Sequence, residues 1–348
     1  MSVRPSRHRS LPRATRALAV TALAAAVATG LAACSSSSAA TGGSQSVSTT
    51  APTTVTVGDH AGPTATKVGI TITPQASIRA ELPAKIRDSG TLTVGVGALP
   101  AGFPPLAYVG DDQRTLTGSE PDLGRLIAAV LGLKADVENA SWENLFVRID
   151  SGQFDVGVSN ITDTEERKEK YDFASYRQDN LGFEVLASSS WNFTGDYEAL
   201  AGKTVAVGSG TNQEKILLEW GAKLKAEGKS LTVKYFNDTN AQLLALQSGR
   251  IDAYFGPNPG IAYQVAQNAG GAHPLRDAGT FSGAGASLQG LIAATTKKDN
   301  GLVKALDDAI NYLIDNGQYA QWLKAYNLSN EAVPKAEINP PGLPKTNS

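Results

Sequence analysis

From Leu92 onward the chain switches between short apolar runs of strand length and longer stretches with apolar residues every three or four positions. Leu92 to Val96 predicts a strand. Ser119-Glu120-Pro121-Asp122 predicts a helix start, with a polar cap, an early proline and an acid three residues on. Leu123, Leu126, Ile127, Val130 and Leu131 mark one helical face, which Gly132 ends. Trp142, Leu145, Phe146 and Ile149 mark the next helix, Phe154 to Val158 a buried strand, and Thr164 the cap of a short helix through Lys170. The alternation then resumes. Lys203 to Val207 predicts a strand and Gln213 to Leu224 a helix, followed by Leu231 to Tyr235, Leu243 to Gln247, Asp252 to Phe255 and Pro259 to Ala269. Leu288 to Ala294 predicts a further strand, and Leu302, Leu306, Ala309, Ile310 and Leu313 one face of a long helix. Strands alternating with helices predict α/β layers with largely parallel sheets.

One phrase occurs twice in this pattern. Ser151-Gly152-Gln153-Phe154-Asp155 leads into an apolar run and Ser159-Asn160; Ser248-Gly249-Arg250-Ile251-Asp252 leads into another and Pro257-Asn258. Upstream of each copy a first strand ends in glycine, at Gly97 and at Gly208. The repeat predicts two similar α/β lobes, with a ligand crevice between them at the carboxyl ends of their strands.

The termini read differently. Arg4, Arg7, Arg9, Arg13 and Arg16, with no acids, precede the apolar run Ala17 to Leu31, too short and weak for a membrane span. Leu31-Ala32-Ala33-Cys34 follows, so 1–33 reads as a secretory signal peptide. The Leu-Ala-Ala-Cys end resembles a bacterial lipobox with lipidation at Cys34; the alternative is an ordinary cleaved signal with an incidental cysteine. Residues 34–77, rich in Ser, Thr, Ala and Gly, read as a flexible, lipid-anchored tether, in which Val68 to Ile72 could pair transiently as a strand. Residues 329–348, with Pro334, Pro340, Pro341 and Pro344, read as a loose tail or a surface strap.

Charge and cysteine usage narrow the function. Of 31 Lys+Arg and 33 Asp+Glu, the leader removes five arginines and no acids, leaving 26 against 33 and a net charge of −7. A mildly acidic surface argues against nucleic acid and against a polybasic membrane patch. Cys34 is the only cysteine, so no internal disulfide staples the fold. Outside the leader and tether the only histidine is His273, in a glycine-rich loop, which predicts neither a histidine-based triad nor a metal centre. No cofactor is expected either: Gly208-Ser209-Gly210 lacks the third glycine of a dinucleotide motif, since residue 213 is Gln. That loop either offers N–H groups to a small anion or is a plain tight turn. The densest polar cluster is Ser159, Asn160, Thr162, Thr164 and Arg167. It is either an arginine fork for a carboxylate or a capped helix with a solvated arginine.

The run Asp155-Val-Gly-Val-Ser-Asn-Ile-Thr-Asp-Thr-Glu-Glu-Arg167, then Tyr171-Asp172-Phe173, resembles the signature of family 3 extracellular solute-binding proteins, the amino-acid receptors of ABC importers. Gly118 to Leu123, Trp142 with Leu145, Gly210-Thr211-Asn212-Gln213, Ser248 to Ala253 and Asn316-Gly317 with Trp322 resemble further family segments in order, from about Ser89 to Leu328. The resemblance implies a type II periplasmic-binding-protein-like clamp, α/β in class, with a mostly parallel sheet flanked by helices in each lobe. Lobe one would span 78–180 plus 288–328, lobe two 181–287, with hinge crossovers near Gln178–Gly182 and Gly283–Gly290. It puts Arg167 on the ligand's carboxylate, Thr162, Ser159 and Asn160 beside it, and Thr211 and Asn212 on the lobe-two side. Phe103 becomes an aromatic lid or a loop hydrophobe, and Trp142 a pocket wall or a core anchor. Where the family holds the α-amino group with an aspartate, this chain has Pro257, with Asn258 next. Asn258 is the weaker acceptor, and Glu120, otherwise an acid favoured by a helix dipole, is the nearest substitute.

The implied protein is a monomeric receptor on the outer face of the bacterial cytoplasmic membrane, lipid-anchored through Cys34. It would deliver a polar amino acid or related small carboxylate to an ABC permease, without enzymatic activity. The alternatives are an enzyme on the same fold, a dehydratase or lyase, and a ligand sensor without transport.

Overall fold

The structure, a computed structural model, describes residues 51–236 and 238–346. The expected signal peptide, Cys34 and the tether's first part lie outside the described residues. No helix among the described residues is long and apolar enough to cross a membrane.

Strands β1 (Thr53–Val57) and β2 (Val68–Ile72) pair antiparallel, Thr53 opposite Ile72 and Val57 opposite Val68. This corrects the part of the tether expected over 34–77 that lies within the described residues, from 51 on. Val57, Ile70 and Ile72 are fully buried in one core with Leu126 and Ile127. Gly58 N–H donates to Asp122 Oδ2 at 2.7 Å, and Thr66 N–H to Ala325 O at 2.8 Å. The cause is the period-two pairs Val55/Val57 and Ile70/Ile72, diluted in composition by the Ser, Thr and Gly around them.

Helices α1 (Ala76–Ala80) and α2 (Ala84–Ser89) lead into β3 (Thr91–Leu99). A small hairpin, β4 (Tyr108–Val109) and β5 (Leu116–Thr117), precedes α3 (Ser119–Val130), β6 (Lys134–Ser141), α4 (Trp142–Ser151) and β7 (Val156–Gly157). β3 lies between β6 and β7, parallel to both. β7 is shorter than the expected Phe154–Val158, because Asn160 adopts a left-handed conformation (φ 50°) and turns the chain away. The helix expected from Thr164 is only a 3-10 turn, Arg167–Glu169, whose N-cap is Glu166; Thr164 Oγ1 accepts from Arg167 N–H at 3.1 Å.

β8 (Tyr171–Leu186) is the longest strand, at 16 residues. It is followed by β9 (Thr204–Val207), α5 (Asn212–Ala226), β10 (Thr232–Tyr235), α6 (Thr239–Gln247), β11 (Ala253–Pro257), α7 (Asn258–Asn268), β12 (Leu275–Ser282) and β13 (Gly290–Lys297). Helices α8 (Val303–Asp315) and α9 (Gln318–Ala325) then return to the first lobe's core. The sheet order is β10-β9-β11-β8-β13-β7-β3-β6, with β12 also on β8. β8 joins the lobes. It pairs with β13 as far as Asp179, opposite Gly290, and with β12 from Asn180, opposite Ser282. One crossover is therefore continuous strand, and the other is the turn from Ser282 to Gly290.

The repeated phrase has one structural meaning. In both copies a left-handed glycine (Gly152, φ 71°; Gly249, φ 70°) ends a helix. The aspartate three residues on then grips the lobe's first strand. Thr93 N–H donates to Asp155 Oδ2 at 2.9 Å and Thr204 N–H to Asp252 Oδ2 at 2.7 Å.

Residues 329–346 form the strap of the two expected alternatives. Val333 and Ala336 enter the first lobe's core, while Leu343 is buried in the second lobe's cluster with Leu217 and Phe255. Lys215 Nζ of α5 donates to Pro344 O at 2.9 Å.

Candidate ligand site between the lobes

A cavity of about 150 Å³ lies between the lobes, below the several hundred Å³ of drug-sized sites and suited to a small molecule. Seven of the ten expected ligand residues line it: Phe103, Glu120, Trp142, Ser159, Asn160, Thr211 and Asn212. Thr162, Arg167 and Asn258 do not.

The first lobe supplies its residues from strand ends. Ser159 Oγ, just past β7, accepts Gly97 N–H at 2.7 Å and so fastens the two strand ends together. Asn160 presents its amide through its left-handed backbone. Glu120, fully buried in the first turn of α3, receives Arg177 Nη2 on Oε1 at 3.1 Å and the Tyr176 hydroxyl on Oε2. Arg177 also donates to Asn160 Oδ1 and to Glu331, which the strap inserts. Burial opposes the Arg177 charge, but Glu331 and Glu120 outweigh it and raise the guanidinium pKa; burial also raises the Glu331 pKa against the pull of Arg177. An ion network thus sits directly behind two cavity residues.

The second lobe supplies the amino end of α5. Thr211 is its cap, accepting from Glu214 N–H at 3.1 Å and donating to Gly208 O at 2.8 Å. The N–H groups of Asn212 and Gln213, the first two residues of α5, have no intrahelical partner. The Gln213 Oε1 is buried without a hydrogen-bond partner among the described residues. Asn212 Nδ2 donates to Gly283 O and to Asp179 Oδ2, both at 3.0 Å, and Thr162 Oγ1 donates to that same oxygen at 2.7 Å. Burial raises the Asp179 pKa, with Thr162 opposing. Asp179 on β8 therefore ties Thr162 of the first lobe to Asn212 of the second from behind the cavity wall.

Arg167 lies in a neighbouring groove. Its guanidinium donates to Thr162 O at 2.9 Å and, across the lobes, to Gly210 O at 3.3 Å. It stands 5.4 Å from the Trp142 ring and 5.3 Å from the Phe146 ring. Desolvation draws its pKa down to about 10, which leaves it cationic at neutral pH. Trp142 Nε1 donates to the same Gly210 carbonyl at 3.2 Å, so two first-lobe donors converge on one second-lobe oxygen. Asn258 opens α7, and Pro257, which pairs with Leu181 on β8, lines the cavity in its place.

Leu106, Ala107, Gln213, Tyr254 and Phe255 also line the cavity and were not expected. Tyr254 had a signal: it alternates with the buried Ala253 and Phe255 along β11. Asp179, Arg177 and Tyr176 had none, because β8 mixes charges and aromatics without a period.

Comparison with known proteins follows this geometry. The model of the bacterial extracellular solute-binding proteins, family 3, matches residues 93–329. The L-cystine-binding protein TcyJ of Escherichia coli (strain K12) is 30% identical over 67% of this chain and 81% of its own. The arginine-binding protein ArgT of Corynebacterium glutamicum is 27% identical over 76% of this chain and 84% of its own. Among solved structures, a P235GK mutant of ArgBP from T. maritima superposes with a TM-score of 0.59 at 26% identity, covering 70% of this chain and 97% of that one. These relatives are solute receptors, and their fold is the type II periplasmic-binding-protein clamp built here from two lobes on one shared strand. With its doubled α/β unit, its cleft between the lobes and a family match over most of its length, this chain belongs to the bacterial extracellular solute-binding proteins of family 3.

Proposed function

We propose that this protein captures an L-α-amino acid between its lobes and passes it to an ABC permease, acting as a monomer held outside the cytoplasmic membrane by lipid on Cys34. The observation carrying this reading is the amino end of α5. The unpartnered N–H groups of Asn212 and Gln213 and the positive end of the helix dipole face a small cavity, which suits a carboxylate. Asn160 and Glu120 on the opposite wall suit the ammonium, in place of the acid missing at Pro257. The names of the relatives, receptors for cystine and arginine, support the amino-acid class. A binding role without catalysis is supported by Glu120, whose two oxygens are engaged by Arg177 and Tyr176 rather than free for proton transfer.

A thermal-shift screen of L-amino acids against matched carboxylates lacking the α-amino group tests this. At a hundred times Kd, binding stabilises the fold by about 2.7 kcal/mol, a shift of degrees. A shift with the amine-free acids alone would refute the amino-acid assignment. Cys34→Ser should release the protein from the membrane fraction, and retention there would contradict the lipid anchor.

A further inference from the structure

Beside the inner cavity lies an outer chamber of about 200 Å³ that opens from it, sharing Phe103, Trp142, Thr211 and Tyr254. Its walls are unlike the inner ones. Four aromatic rings surround it, those of Phe103, Trp142, Phe236 and Tyr254, and two carboxylates, Glu143 and Asp238, stand at its rim. Among the described residues no lysine or arginine lines it. Gln242 also faces it. That amide spends its Nε2 on Glu184 Oε2 at 3.1 Å, which leaves the Oε1 as its uncommitted acceptor.

Aromatic faces present negative potential, and carboxylates and an amide oxygen accept hydrogen bonds without offering any. Among the described residues the one cation on these rings, Arg167, approaches Trp142 from the neighbouring groove and does not line the chamber. Cation–π attraction strengthens as water is excluded, and closure of the lobes over the chamber does that. A neutral group would gain apolar burial from the rings but no charge attraction, and an anionic one would meet like charge at Glu143 and Asp238.

We infer that the outer chamber is the specificity subsite of this receptor, and that it selects an amino acid whose side chain ends in a guanidinium or ammonium. This rests on the proposed capture of an α-amino acid in the inner cavity. The head group then lies at α5 and the cationic tail lies among Phe236, Tyr254, Glu143 and Asp238.

Calorimetric titration of the purified protein with isosteric pairs tests it: L-arginine against L-citrulline, and L-lysine against L-2-aminoheptanoic acid, with L-glutamate as the acidic probe. The charged member of each pair should bind at least tenfold more tightly, and glutamate most weakly. In the double variant Glu143→Gln, Asp238→Asn the gap should close through loss of arginine and lysine affinity. Asparagine keeps the α6 cap, where Asp238 accepts Ala241 N–H at 2.8 Å, so the variant folds. Equal binding of arginine and citrulline, tighter binding of glutamate, or a gap that survives in the variant would overturn the subsite while leaving amino-acid capture standing. Failure of every amino acid to bind would instead remove the capture reading, and this inference with it.

Discussion

The Phe103 ring lies directly against the backbone of Gly260, so a loop of the first lobe meets a helix of the second with no side chain between them. A Cβ at Gly260 would fall within the ring's space. Gly260→Ala should therefore push the Phe103 ring aside, while alanine improves helix propensity by up to about 1 kcal/mol. The expected result is ligand affinity down about tenfold with an unchanged or higher melting temperature, read by calorimetry and thermal melts. A parallel loss of both would mean that Gly260 matters to packing rather than closure.

Arg167 fastens the lobes through the Gly210 carbonyl. Arg167→Ala removes two charged hydrogen bonds and two aromatic contacts, each hydrogen bond worth about 1.5–3 kcal/mol. Affinity should fall ten- to hundredfold, and Arg167→Lys should restore little, since an ammonium lacks the guanidinium's planar fork. Full rescue by lysine would show that charge alone suffices.

Glu331 is fully buried against Arg177. Glu331→Ala leaves that guanidinium short of a partner and should cost about 3–5 kcal/mol in denaturant unfolding. Pairing it with Arg177→Met should recover part of the loss. If the single variant unfolds like the wild type, the strap contributes nothing to the first lobe.

Glu184 is fully buried on β8, and burial lifts its pKa to about 7, with Gln242 opposing. The folded state holds this proton more tightly than the unfolded chain. The neutral acid's contribution is thus complete below the ordinary glutamate value of 4.5 and is lost as pH climbs through about 7. Glu184→Gln should match the wild type near pH 4 and exceed it by about 3 kcal/mol at pH 8. Melts showing the same difference at both pH values would contradict a titrating Glu184.

The alternation of periods announced the lobes, and the doubled phrase announced their common unit, because Asp155 and Asp252 do the same work on β3 and β9. Seven cavity residues were legible because they sit where strands end and helices begin, positions that turn chemistry marks locally. Arg167 was expected in the cavity, but the backbone carbonyls of Thr162 and Gly210 draw its donors away, and only tertiary packing decides that. The hairpin at 53–72 was hidden because two alternating pairs carry little weight in a Ser- and Thr-rich stretch. The network around Arg177 was invisible for a different reason. Its partners Glu120 and Glu331 lie 57 and 154 residues away, and no local period connects them.

That last separation sets an order of assembly. The second lobe is one uninterrupted stretch from Asn180 to Ser282, whereas the first draws its strands and helices from either side of it. A chain that emerges amino end first can pair the strands of the inserted lobe while its host still lacks β13, α8, α9 and the strap. Contacts between distant segments form late, because the loop between them must close first. Arg177 stays without its strap carboxylate until the final twenty or so residues arrive. A polypeptide cut short near its end would thus leave the inserted lobe without Leu343 and Arg177 without Glu331, a difference that surveillance proteases could read.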